Sequence, residues 1–336
     1  MPPRKTIIGI AASLVIIFVI IKFSEVSVGE ILRISASLFA LFLFLAVLRA
    51  VAQGLRLYLM VRRYAPNRVS IGKALLLRAS SEFFALTTIP FIADELARVA
   101  MLRQTGLETS TAASIAFSEM ILDILVGGLV ACLAGVSAVL AGSPSLGAVI
   151  LFISVSQLTA ILVFTFLTAG KDFGASIDKL FGLARNGSPR DKASASLEAV
   201  LKTIGPAVSA LFTRDRPLLA PLVALTLIVM TTPALALYLL APSAGVLGSL
   251  YAFHAGNALG VIPVTVGGSG LTEAGVFLYL SGVLRAGSWT PVIVWRIATY
   301  YLTLLITGAT VVIYSSGLLL GLRSRPNSTD QAPDLF

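Results

Sequence analysis

Apolar residues run in windows of the ~20 residues needed to cross a bilayer, near 6–22, 33–54, 111–140, 146–169, 217–241 and 291–320. Two further windows, 74–107 and 245–284, are interrupted. The first breaks at Thr88-Ile89-Pro90-Phe91-Ile92-Ala93-Asp94-Glu95, and the second at Ile262-Pro263-Val264-Thr265-Val266-Gly267-Gly268-Ser269-Gly270-Leu271-Thr272-Glu273. Each break ends on a carboxylate. Backbone freed from helical bonding costs several kcal/mol per unsatisfied group in hydrocarbon, so it is tolerated only against protein or a watery cavity. The pattern predicts an all-α, polytopic helical membrane protein with about six full spans plus two broken, re-entrant hairpins. If 245–262 and 271–284 each cross fully, the count rises to about eight.

Charged positions orient these elements. The segment Gly54 to Lys73 carries Arg56, Arg62, Arg63, Arg68 and Lys73, and Gly170 to Arg216 is also basic, whereas Ala141 to Gly147 and Ala241 to Gly248 carry no charge. Basic loops face the cytoplasm. With both termini inside, the first hairpin enters from the cytoplasm, because Arg98 and Arg103 follow it, and the second enters from outside. Hairpins entering from opposite faces are the signature of an inverted repeat around a transport site. One membrane domain is expected over 1–325. Within its loop 170–216, Leu197, Val200, Leu201, Ile204, Val208, Leu211 and Phe212 recur at helical spacing, fitting an interfacial helix or a solvated connector. The polar tail 326–336 is expected to be disordered.

Composition agrees: 57% of residues are hydrophobic, 12% are charged and the mean hydropathy is +0.94, far from a soluble domain. The net charge of +9 is explained by topology without a nucleic-acid partner. Cys132 is the single cysteine and His254 the single histidine. An intramolecular disulfide, a thiolate cluster and a two-histidine metal site are thereby excluded. No glycine run carries a phosphate-binding lysine, so no nucleotide or other cofactor is expected. The run from Thr6 lacks a clear small-residue cleavage site and reads as a retained span.

Ionisable groups at membrane depth are costly and therefore functional candidates: Glu82, Asp94, Glu95 and Arg98 in the first hairpin, Glu119 and Asp123 in the next span, His254 and Glu273 in the second hairpin, and Arg296 in the last span. From a helix start near Thr111, Glu119 lies about 12 Å and Asp123 about 18 Å deep, on one face. Two such carboxylates require a proton, or the approach of Arg98 and Arg296; a structural ion-pair role and a substrate or proton role are both open. Arg296, Thr299, Tyr300, Thr303 and Thr307 form a polar stripe that must face the bundle interior. Gly267-Gly268-Ser269-Gly270 permits a tight turn whose following helix directs amide donors into the break. That turn suits an anion site or a plain reversal. A guanidinium holds phosphate through paired donors, so Arg98 and Arg296, one toward each side, are candidates for a lipid head group. A Ser269–His254 dyad would suit an intramembrane hydrolase, but rhomboid-like enzymes place the histidine after the serine, and here it precedes.

These residues resemble the lysylphosphatidylglycerol synthase transmembrane family, a flippase-like domain of bacterial and archaeal cell membranes. Its Pro-x-x-x-Gly-Glu-x-x-Arg motif is similar to Pro90 through Glu95 and Arg98, its Glu-Arg-x-x-Asp motif to Glu119 and Asp123, and its Pro-Gly-Gly-x-Gly-x-x-Glu motif to Gly267, Gly268, Gly270 and Glu273; a later arginine resembles Arg296. Asp94, Met120 and Val266 stand where the family usually has glycine, arginine and proline. The resemblance covers nearly the whole chain and includes no aminoacyl-transferase domain. It implies movement of a phospholipid, glycolipid or polyprenyl-phosphate lipid between leaflets, passive or proton-coupled. An ion-coupled carrier of a small solute would use the same inverted hairpins.

Overall fold

A computed structural model describes residues 34–88, 93–169, 215–262, 266–283 and 289–323, with Lys22 and Gly29. The predicted span 6–22 apart from Lys22, Pro90, Pro263, the 192–212 helix and the 326–336 tail lie outside the described residues. Among the described residues every regular element is a helix. The order is α1 (Ala36–Tyr64), α2 (Ile71–Thr87), α3 (Ala93–Arg103), α4 (Thr109–Leu140), α5 (Pro144–Ala169), α6 (Arg216–Leu240), α7 (Gly245–Gly260), α8 (Leu271–Gly282), α9 (Trp289–Arg296), one π-helical turn (Ile297–Tyr301) and α10 (Leu302–Arg323). Five continuous stretches are long and apolar enough to cross a membrane: α1, α4, α5, α6 and the run from α9 into α10. They coincide with five of the six predicted full spans.

Local chemistry sets the helix ends. Ser35 caps α1 by accepting from Leu38 N–H at 3.2 Å, and Ser70 caps α2 by accepting from Lys73 N–H at 3.4 Å; each satisfies one amide that has no intrahelical partner. Pro233 lies inside α6 and cannot donate to the Val229 carbonyl. The hydroxyl of Thr232 donates to that carbonyl instead, at 3.1 Å, so the helix continues without an orphaned acceptor.

Contacts at the two ends of the bundle settle the hairpins. Arg63 and Tyr64, closing α1, meet Asp215 beside the start of α6. On the same end, Tyr314 of α10 donates to Gln104 just beyond α3. At the opposite end, Ser143 in the α4–α5 turn donates to the Gly282 carbonyl closing α8, and Trp289 opening α9 stacks on Phe277 of α8 at 4.0 Å. The α2–α3 hairpin therefore leaves and returns at the end that holds Arg62, Arg63, Arg68 and Arg103, and α7–α8 leaves and returns at the end that holds the α4–α5 and α6–α7 turns, which carry no charge. α7 and α8, of 16 and 12 residues, are shorter than the ~20 residues that a full span needs. The hairpins enter from opposite sides, as expected for an inverted repeat.

Packing follows membrane rules. Phe44, Phe152, Leu305 and Val312 face outward, where lipid supplies their surroundings, while close helix approach is made by small residues. Gly135 of α4 and Gly147 of α5 are so close that a Cβ on Gly147 would lie 2.6 Å from the Gly135 carbonyl. Within the second hairpin, a Cβ on Gly256 would lie 2.7 Å from the Thr272 carbonyl and 2.5 Å from Val276. Gly256→Leu is therefore expected to cost about 1–3 kcal/mol through overpacking, seen as a lower melting temperature in detergent. Gly72→Ala, with open space around its Cβ, should leave it essentially unchanged.

Candidate functional site

The charged residues predicted inside the membrane are brought together in two groups, one at each hairpin. The first is built on α1, α2, α3 and α4. Arg56 is fully buried; its guanidinium bonds Glu119 at 3.2 Å, grips both carboxylate oxygens of Asp123, and donates to Thr226 of α6 at 2.8 Å. Arg98 bonds Glu119 from the other side at 2.8 Å, pairs with Asp94, and donates to the Ala116 carbonyl at 3.3 Å. Arg78 bonds Glu82 at 2.8 Å and approaches Asp94 at 3.5 Å and Glu119 at 3.7 Å. Arg49 and Gln53 complete the coordination of Glu82, at 3.0 and 3.2 Å. This network answers the need created by placing Glu119 and Asp123 four residues apart: two guanidiniums stand against them, from α1 and α3. The fork geometry of arginine lets one side chain serve two carboxylates.

The second group is organised by Arg296. Its Nε lies 2.7 Å from Glu273, and its Nη2 donates to the Gly267 carbonyl at 2.8 Å and to Ser269 Oγ at 3.3 Å. The guanidinium also lies over the Tyr300 ring, 4.1 Å from its centre, a cation–π contact. Glu273 in turn accepts from the Gly270 N–H at 2.7 Å. The amide end of α8, expected from sequence to be open to an anion, is thus held in part by the protein's own carboxylate. Gly267, Gly268 and Gly270 all have positive φ, at 58°, 67° and 89°, a region costly for other residues. At Gly267 space is limiting as well, since a Cβ would lie 2.7 Å from Tyr300 and 2.9 Å from the Leu86 carbonyl.

That last contact marks where the hairpins meet. Gly267 N–H donates to the Thr88 carbonyl at 3.2 Å, and the Tyr300 hydroxyl donates to the Leu86 carbonyl at 2.5 Å. Carbonyls released where α2 ends are therefore satisfied by the other hairpin's turn and by the π-helical turn that follows Arg296. π turns occur often at functional sites; this one carries Tyr300.

Beside the meeting point lies a cavity of about 300 Å³, lined from both hairpins and from α1, α4 and α6. Of the residues singled out from sequence, Glu82, Asp94, Glu95, Asp123, His254, Gly267, Gly268, Arg296, Thr299 and Tyr300 line it. Arg98, Glu119, Ser269, Gly270 and Glu273 lie behind the wall and brace those that do. Arg98 is thus a network member, while Arg49 and Arg78 face the cavity. Ser269 Oγ faces a guanidinium and His254 Nε2 has no hydrogen-bond partner, an arrangement that gives no support to a serine–histidine dyad. Among the described residues no cluster of three or more His, Cys, Asp or Glu suits a metal ion.

Arg49, Gln53, Arg56 and Arg78 were not recognised from sequence as site residues. Arg56 was assigned to a cytoplasmic loop because the apolar window closes near Gly54, yet α1 continues to Tyr64. The overlooked signal is periodic: Arg49, Gln53 and Arg56 lie four and then three residues apart, one helix face, and Arg78 stands four before Glu82.

The model of one protein family, described as the lysylphosphatidylglycerol synthase TM region, matches residues 6–307. The chain belongs to the lysylphosphatidylglycerol synthase TM region family. A comparison with curated proteins gives no match. Within this lysylphosphatidylglycerol synthase TM region protein, the family-like motif residues sort between the two groups: Asp94, Glu95, Arg98, Glu119 and Asp123 join the first, and Gly267, Gly268, Gly270, Glu273 and Arg296 the second. Met120, where the family usually has arginine, lines the cavity. Glu119 draws its cations from Arg56 and Arg98 instead.

Removing one partner of a buried pair leaves an uncompensated charge at a cost of about 3–5 kcal/mol. Arg56→Met should therefore sharply reduce the monodisperse, folded fraction in detergent size-exclusion chromatography. Combining it with Glu119→Gln and Asp123→Asn should recover much of that loss. Equal loss in the single and triple variants would count against an electrostatic cause.

Proposed function

We propose that this multi-pass membrane protein moves a phosphate-bearing lipid between leaflets, its head group passing through the cavity between the hairpin tips while its tails stay in the bilayer. The observation carrying the proposal is that one cavity takes its wall from both oppositely directed hairpins and presents Arg49, Arg78 and Arg296 to its interior. Guanidiniums are suited to phosphate, and a site between broken helices of opposed orientation is the arrangement expected for alternating access. Family membership supports a lipid-related role. The basic end of the bundle, with Arg62, Arg63, Arg68 and Arg103, is assigned to the cytoplasm of a bacterial or archaeal cell membrane. We read the protein as a transporter and not as an enzyme, with no cofactor required.

Reconstitution tests this. Liposomes carrying the protein and fluorescent lipids should show faster leaflet exchange than empty liposomes. Arg49→Gln and Arg296→Gln should slow it about tenfold or more, the loss of a charged hydrogen bond. Arg62→Gln, at an exposed position, should leave it unchanged. If wild-type protein matches empty liposomes for anionic, zwitterionic and prenyl-phosphate lipids alike, the proposal fails. Thermal stabilisation by a water-soluble solute would then favour a small-solute carrier.

A further inference from the structure

The first charged group has more acids than bases. Glu82, Asp94, Glu95, Glu119 and Asp123 face Arg49, Arg56, Arg78 and Arg98, while Glu273 and Arg296 match one another. One carboxylate therefore has to share its cation with others among the described residues. The geometry identifies it. Arg98 is nearest to Glu95, at 4.0 Å, but the same guanidinium already serves Asp94, Glu119 and the Ala116 carbonyl. Glu95 Oε2 has no hydrogen-bond partner, the residue is only 4% exposed, and it lines the cavity. A buried carboxylate that leaves one oxygen without a hydrogen bond and shares its nearest guanidinium, 4.0 Å away, with two other acids is the one least able to hold a full charge.

We propose that Glu95 is a proton-binding site coupled to occupation of the cavity, so that a phosphate head group and one proton bind together. The proton comes from water reaching the cavity, forms the O–H bond at Oε2, and returns to water when the head group departs. The inference rests on the proposed lipid function for its ligand, though not for the proton site itself. The surroundings explain why this group and not its neighbours carries the proton. On its own helix are Asp94 and Arg98, on α2 Arg78 and Glu82, and on α4 Glu119 and Asp123, each acid but Glu95 having a guanidinium within hydrogen-bond distance. His254, from α7, lines the same cavity and is the other titratable group whose role must be separated.

The sign follows from charge. An ionised Glu95 repels a phosphate and a protonated one does not. Head-group binding should thus be tight at acid pH and weaken by about tenfold per pH unit where one linked proton dissociates. The first experiment measures binding of dioctanoyl phosphatidylglycerol to detergent-purified protein across pH. Wild type and His254→Gln should both show the slope, and Glu95→Gln should bind tightly and without it. A slope that persists in Glu95→Gln overturns the proposal. The second experiment needs no ligand: infrared difference spectra across pH should show a protonated-carboxyl band in wild type that Glu95→Gln lacks. A spectrum unchanged by the substitution overturns the proposal even if lipid binds. Should the lipid not bind while the band is present, the lipid reading fails and the proton site stands.

Discussion

Charge neutralisation inside an apolar bundle is the constraint on which this structure depends. An isolated ion loses several kcal/mol or more on leaving water, so every buried arginine and carboxylate has to find its partners within the protein. Arg56, held by Glu119, Asp123 and Thr226, ties α1, α4 and α6; Arg98 joins α3 to α4 through Glu119; Arg49 joins α1 to α2 through Glu82. The short hairpin α2–α3 lacks the length and apolarity of a full span. It is held at depth because its charged face completes a network that no single helix could satisfy.

The second hairpin reaches the same depth by a different route. Its two helices pack through Gly256, Gly260 and Gly275, and its turn is shaped by glycines at positive φ. Arg296 then binds that turn from outside the hairpin, through Gly267 and Glu273. Tyr300, stacked against the same guanidinium, carries the connection to Leu86. Side chain–backbone contacts thus do for the second break what ion pairs do for the first.

Much of this was legible in the sequence because it rests on strong local signals. Apolar length marked the five described spans, proline marked the first break and proline with glycine the second, and loop charge assigned the hairpins to opposite ends. Glu95, Glu119, Asp123, Glu273 and Arg296 stood out by their cost in hydrocarbon. What was hidden depends on three-dimensional pairing. Arg56 looked like a loop residue because a hydropathy window cannot show that a guanidinium near a helix end meets carboxylates 63 and 67 residues away. The Gly270 amide looked open because only the folded turn brings Glu273 back onto it. Nor does any periodicity reveal that Thr88 and Gly267, so distant in sequence, share a hydrogen bond.

That shared bond divides the molecule in a mechanical sense. On one side of it, Arg49, Arg56, Arg78 and Arg98 each find carboxylates among their own neighbours; on the other, Arg296 finds Glu273. The seam at the tips is joined by neutral groups, the Gly267 amide and the Tyr300 phenol against two carbonyls. Neutral hydrogen bonds contribute only about 0.5–1.5 kcal/mol each, far less than parting an ion pair in hydrocarbon. Parting the tips therefore separates no pair of opposite charges, which makes the seam the electrostatically cheapest join between the two charged groups.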